Sequence, residues 1–519
     1  MLCKKKIFLS AILLCGAFFL FCLFWLNRLN PKTTYFKPIT DNILTLDPRK
    51  TRFRTDYVVA KAIYGQFLKL DEFGEVLPDL VESWSVNKTG DNYTFYIRKG
   101  VQFHSGKVAT AKDVYFSIHF LAQPTSLVNQ FFSDIQGYDE YGNGTRESIS
   151  GVNIVNEFTI SIDLKKPSFL FLYQLADFKI VVLPDNLNGI PEEDFFRNPD
   201  GIGPYKIDQF SEDHSTLKIS VNESYFGSRP RITNYVFKTM EKSKAIEAFL
   251  KGEVHDLEVF FLTNQEKELV SKNNQVFSVG PFSISLMFLN GRKKIFRDTW
   301  VRKYFQSIFD TEMIREACQM NIVPESGIVP EGYVGAINYS KRIELTGTIG
   351  LKMKKQIQIS TQKLIILIHG SDVPTCVTET IQENISKTLL IPVSIHWTPS
   401  DAIASELSKG NYDLFFEFLS IRGSEPFQLL SYFDQSSAHN LTYFSDPKIS
   451  NLRQKIQTEP SKEGRSVLYK QLNQYISIEK AYVIPMYSDP RYYVFGNKVK
   501  SRSVPAIIMT SAGFGEIWF

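Results

Sequence analysis

The sequence predicts an α/β protein made of two regions, and three observations carry that prediction. A chain of 519 residues is too long for one ordinary hydrophobic core, so two or three domains are expected. Strand, turn, strand and helix signals follow one another between Tyr93 and Leu121. A strand–helix–strand pattern then recurs far along the chain, between Leu364 and Trp397.

In the first region Tyr93 to Arg98 alternates as a half-buried strand, Lys99-Gly100 supplies a turn, and Val101 to Phe103 continues extended. Thr110 with Asp113 has the form of a capping box ahead of a helical run from Val114 to Leu121. Ala245 to Leu250 reads as the end of a helix, with Gly252 in the stop position. In the second region Leu364 to Ile368 is an apolar run of strand length. Val373, Val377, Ile381, Ile385 and Leu389 recur every four residues along one helix face, and Val393 to Trp397 is a second strand. Such a unit implies a parallel pair with a right-handed crossover. A helix near Ser400 to Ser408 and a strand from Tyr412 to Leu419 repeat the alternation. Ligands of such folds lie at the carboxyl ends of strands or between domains.

Composition is that of a globular chain, with 43% hydrophobic and 22% charged residues. Aromatics reach 14%, most of them expected to fill core. The net charge of +4 comes from Lys4, Lys5, Lys6 and Arg28, with no acid before residue 31, so the remainder carries 55 basic and 55 acidic residues. A neutral body without a basic run excludes nucleic acid as an expected partner. The apolar run from Ile7 to Leu26 behind the lysines has the length of one helical membrane crossing and predicts an uncleaved anchor with everything after Arg28 exported. A lipoprotein signal fits less well, because leucine and phenylalanine stand before Cys15 and Cys22; a cleaved signal peptide lacks an obvious site. Of the five cysteines only Cys318 and Cys376 belong to the exported part. Two buried free thiols are expected there, with a disulfide as the alternative.

At Leu77 the chain begins to resemble a known family. Leu77-Pro-Asp79-Leu-Val-Glu-Ser-Trp84, Tyr93 to Gly106 and Thr110-Ala-Lys-Asp113-Val114 resemble the signature of the family 5 extracellular solute-binding proteins, the oligopeptide- and dipeptide-binding components of ABC importers. Thr45-Leu-Asp47-Pro48 looks like the family's opening strand and turn. Gly201-Ile-Gly203-Pro-Tyr205, Asn222-Glu-Ser-Tyr225-Phe-Gly227 and Gly252-Glu-Val-His-Asp256 continue the series. So do Asn290, Phe296, Val301-Arg302, Ile308-Phe-Asp310, Tyr412-Asp413-Leu414 and Ile484-Pro-Met-Tyr487, so that the resemblance covers residues 40–500. Asp79, Trp84, Gly106 and Asp113 read as packing, turn and cap positions, and His104 as a hydrogen-bonded turn residue.

The resemblance implies a two-lobed periplasmic-binding-protein fold of type II, in its large cluster with an extra subdomain, behind an N-terminal transmembrane helix. Residues 1–30 would be the signal or anchor; 31–60, 186–275 and 488–519 lobe I; 61–185 its inserted subdomain; and 276–487 lobe II, with crossings near Val276–Gly280 and Pro485–Tyr487. In peptide binders of this family an aspartate in the strand after the Tyr-Asp motif pairs with the ligand's α-amino group. Counted in register, that position here is Arg422, and the strand's tryptophan becomes Leu419. Arg52, with Arg54 two residues on, stands where an acidic residue is often found. Arginines there would welcome a carboxylate or phosphate, unless they face solvent or pair with Glu417, Glu425 or Asp56. The implied ligand site is Arg52, Arg54, Ser420, Arg422 and Tyr487. The implied function is capture of a small peptide, with an exposed anionic group, by a monomer at the extracytoplasmic face of the inner membrane, for delivery to ABC permease subunits. No cofactor and no metal are expected. The alternative is a membrane-anchored sensor, or a binder of haem or a nickel complex.

Enzyme classes find little footing. There is no His-Glu-x-x-His, no Gly-x-Ser-x-Gly and no P-loop, and the seven histidines lack metal spacing. The tetrads Ser85 to Lys88 and Ser215 to Lys218 match Ser-x-x-Lys as chance occurrences in a lysine-rich chain.

Overall fold

Alternating apolar side chains make Thr34–Ile39 an edge strand, which pairs in parallel with Asn234–Thr239. Thr216–Val221 and Tyr205–Phe210 continue that sheet antiparallel to four strands. The computed structural model describes residues 33–501 and 517–518, except 40–41, 52–53, 72, 178, 260–261, 280–282, 339–344, 346, 370–372, 400–401, 422, 436, 438 and 489–490. The expected anchor at residues 1–30 lies outside the described residues, among which no helix is long and apolar enough to cross a membrane.

The Gly-x-Gly element shows why glycine is needed there. Gly203 donates its N–H to the carbonyl of Ile63 at 2.9 Å, at the end of helix Arg54–Ile63. A Cβ on Gly201 would stand 2.1 Å from that same oxygen. His104 sits in this junction, its ring nitrogens within 3.4 Å of the Gly201 N–H and 3.3 Å of the Gly203 carbonyl.

Residues 67–202 hold a second core. Val81–Val86, Asn92–Ile97, Thr159–Asp163 and Val152–Asn156 form an antiparallel sheet in that order. Helix Ala111–Leu121 buries its Val114 and Ile118 in the same core as Phe95 and Ile160 of that sheet. The capping box is present: Thr110 and Asp113 satisfy each other's backbone N–H groups. Val101 to Phe103 forms no strand; a single bridge joins Gln102 to Val108, and the Phe103 N–H bonds the Lys107 carbonyl around Gly106, at φ +89°.

The six-stranded sheet runs Val323–Pro324, Val483–Ser488, Ser283–Leu289, Leu414–Ser420, Leu364–His369, Val393–Thr398. Its last three strands are mutually parallel, and helix Thr375–Leu389 crosses between two of them, as the four-residue apolar spacing requires. Val377, Ile381, Ile385 and Leu389 are buried against the sheet, each burial contributing about 1.5–3 kcal/mol. The later helix is Ile403–Lys409 and the strand after it Leu414–Ser420, each displaced by one to three residues from the sequence expectation. Cys318 ends helix Thr311–Cys318 and is disulfide-bonded to Cys376, with Cα atoms 5.6 Å apart. The expectation of free thiols is therefore corrected. Two helices 58 residues apart in sequence are brought side by side by packing, a proximity that spacing cannot reveal.

Asp256–Val259 and Gln275–Val279 flank Arg491–Phe495 in a three-stranded antiparallel sheet. The chain passes from this sheet to the six-stranded one between Val279 and Ser283, and returns between Ser488 and Arg491. The described flanks are paired: Val279 with Arg491 in the three-stranded sheet, and Ile284 with Ser488 in the six-stranded one.

Candidate functional site at the carboxyl edge of the six-stranded sheet

Register places the carboxyl ends of all three parallel strands on one edge, where His369 stands opposite Thr398, one residue past the Ile368–Phe416 pair. Antiparallel pairing brings Ser283 opposite Ser420 and Ser488 opposite Ile284 on the same edge. Ser283 and Ser488, the last described residues of this sheet before the chain continues to the three-stranded one, both stand here. Edges of this kind are where open α/β sheets accept ligands, because strand ends leave polar backbone and side-chain groups without sheet neighbours.

The expected site residues divide. Ser420 is exposed at the end of its strand. Tyr487 is fully buried, opposite Ser285 and Pro324, with its ring 6.3 Å from that of Phe418, and so belongs to the wall behind the edge. Arg54 opens its helix, and only its backbone is described. Arg52 and Arg422 lie outside the described residues.

The three carboxylates weighed as partners for those arginines all have other bonds. Glu417 accepts from His369 Nδ1 at 2.7 Å. Glu425 is held by Arg465, and Asp56 accepts the Leu44 N–H at 3.2 Å. His369 and Glu417, on adjacent parallel strands, add a half-buried acid–imidazole pair to the edge.

One group at this edge escapes sequence reasoning altogether. Glu325, one residue beyond strand Val323–Pro324, is 2% exposed, and the Ser488 hydroxyl donates to its Oε1 at 2.6 Å. Burial pushes its carboxyl up to about 7. Nothing in Val323-Pro-Glu-Ser-Gly327 marks this position in the sequence, since burial here comes from distant strands. Among the described residues no cluster of three or more metal-ligating side chains occurs.

The model of the bacterial extracellular solute-binding proteins, family 5 Middle, matches residues 75–440. The chain belongs to this family. A family 5 protein is a solute-binding protein of the extracytoplasmic space, and the family is not one of enzymes. Among curated relatives, the dipeptide-binding protein of Escherichia coli is 33% identical over 177 residues, 31% of this chain and 32% of that protein. The oligopeptide-binding protein AppA of Bacillus subtilis is 27% identical over 265 residues, 49% of this chain and 46% of that protein. The chain thus spans a third to about half the length of these relatives in the matched parts. The structure of the Escherichia coli murein tripeptide binding protein MppA superimposes with a TM-score of 0.80 at 19% identity, covering 94% of this chain and 98% of that one. That likeness establishes the mixed α/β fold of this family 5 protein.

Proposed function

We propose that this chain is the substrate-binding component of an ABC peptide importer, which captures a small peptide between two lobes and delivers it to membrane permease subunits. The observation that carries the reading is that the two stretches of chain joining the sheets have paired flanks, Val279 with Arg491 and Ile284 with Ser488, the latter at the edge where a ligand would sit. Two connections whose flanks are paired in this way can flex together, so closure would bring the 31–60, 186–275 and 488–519 lobe, with its 61–185 subdomain, down onto residues 276–487. Ligand would favour the shut form through contacts made better there. The names of the relatives, binders of dipeptide, oligopeptide and murein tripeptide, support peptide as the ligand class.

Arg52, Arg54, Ser420 and Arg422 are proposed to line the gap, with Tyr487 in the wall behind it, the arginines receiving an anionic group of the peptide. The protein is proposed to act as a monomer without catalysis or cofactor, held at the membrane by residues 1–30. Mass spectrometry of small molecules released from the purified full chain tests the reading. Recovery of short peptides is expected, and a haem or nickel complex in their place would overturn it. Calorimetric titration then tests the anionic preference: acidic peptides are expected to bind tighter than basic ones, and the reverse order would defeat that part.

A further inference from the structure

Buried carboxylates in this protein are as a rule matched by a cation. Asp47 sits against Arg49, Asp256 against Lys37, Asp434 against Arg453 and Glu425 against Arg465, all within 2.8 Å. The rule follows from desolvation: an ionised carboxylate taken out of water is costly unless paired. Glu325 breaks it. Its hydrogen-bond donors are the Ser488 hydroxyl, at 2.6 Å, and the backbone N–H of Glu331, at 3.4 Å, both to Oε1. Among the described residues no lysine, arginine or histidine forms an ion pair with it, and the charge that acts on it is the like charge of Glu331.

The position is rigidly built. The Glu325 N–H bonds the Met486 carbonyl at 3.3 Å. Two residues on, Gly327 packs against the Asn473 side chain, and the Ile328 N–H is held by Asn473 Oδ1 at 2.8 Å and Ser477 Oγ at 3.2 Å. The carboxylate is thereby fixed beside Ser488, the last residue of its strand before the passage at 489–490, on the edge that also carries Ser283 and Ser420. A buried, pre-positioned carboxyl group with an oxygen to spare, whose charge burial disfavours until a cation arrives, is suited to a group that brings a positive charge and several N–H donors.

We infer that Glu325 is a specificity-determining residue that receives a primary ammonium group of the ligand. This rests on the proposed peptide capture and deepens it. With arginines proposed for the anionic end, a zwitterionic peptide would lie with its ammonium toward the Ser488–Glu325 corner. An α-amino terminus and a lysine side chain share this chemistry, and the test separates them.

Full-length protein and its Glu325→Gln variant are each equilibrated with a pool of two- to five-residue peptides in three mass-coded forms. These are free amino terminus without lysine, acetylated terminus without lysine, and acetylated terminus with one lysine. Retained peptides are counted by mass spectrometry, and thermal melting checks that the variant is folded. The wild type is expected to retain at least one ammonium-bearing form tenfold or more over the acetylated, lysine-free form, and the variant to bring that ratio close to one while still retaining peptide. The form enriched by the wild type tells which ammonium is read. An equal ratio for both proteins, whether near one or high, overturns the role of Glu325 while leaving peptide capture standing. Retention of no peptide by either protein overturns peptide capture and this inference together.

Discussion

Arg465 and Glu425, forty residues apart, form a two-point ion pair: Arg465 Nε lies 2.8 Å from Glu425 Oε2 and Nη2 lies 2.5 Å from Oε1, with the carboxylate fully buried. Arg465 Nη1 also donates to the carbonyls of Glu459 and Pro460, at 2.9 and 2.8 Å, so the guanidinium is held on three sides. The pair anchors the chain at Glu425, shortly after the end of strand Leu414–Ser420.

Removing one partner leaves a buried charge without compensation. Glu425→Ala is expected to destabilise the protein by about 3–5 kcal/mol in urea unfolding. Pairing it with Arg465→Met should recover part of that loss, because the stranded cation is then gone too. A double variant no more stable than the single one would show that the guanidinium is held by its carbonyl partners alone.

Glu325 makes stability depend on pH in a definite direction. Its folded carboxyl titrates near 7, against an ordinary value of 4.5, so between these values the folded chain holds a proton that the unfolded chain has lost. Stability therefore falls as pH rises through that window. Glu325→Gln should match the wild type near pH 4 and exceed it by about 2–3 kcal/mol at pH 8. Parallel pH profiles of the two proteins would refute this.

The Cys318–Cys376 bond closes a loop of 58 residues and ties helix Thr311–Cys318 to helix Thr375–Leu389. Reduction, or replacement of both cysteines by serine, is expected to cost about 2–4 kcal/mol. Thermal melting with and without reductant, on wild type and double variant, measures it. The variant should show no response to reductant.

At Gly203 a methyl group would meet the carbonyl oxygens of Ala62 and Ile63, both at 2.5 Å. Because the obstacle is backbone, Gly203→Ala is expected to destabilise by about 1–3 kcal/mol in chemical denaturation. An unchanged midpoint would mean that helix Arg54–Ile63 shifts freely against the four-stranded sheet.

The strand–helix–strand unit at Leu364 to Thr398 was legible because its signals are local. Four-residue spacing turns one face of a helix inward whatever it packs on, and Val377, Ile381, Ile385 and Leu389 are all buried as that spacing demands. The Thr110–Asp113 cap was legible for the same reason, its partners being three residues apart. Val101 to Phe103 misled because an apolar, β-prone triplet reads as strand; the ladder partner it needs is absent beyond one bridge. Tyr487 was counted as a surface of the gap, but sheet pairing with Pro324 and Ser285 encloses it.

By itself, then, the chain of residues determined the α/β class, the alternation of strands and helices between Leu364 and Ser420, and the family, since these rest on periodicity and on motifs read within a few positions. Only the tertiary structure decided that Cys318 meets Cys376, that Glu425 belongs to Arg465, and that Glu325 is buried beside Ser488 without a cation among the described residues. Those are pairings across 58, 40 and 163 residues. Burial and ion pairing are set by whichever distant segments the sheets bring together, and no local pattern encodes that meeting.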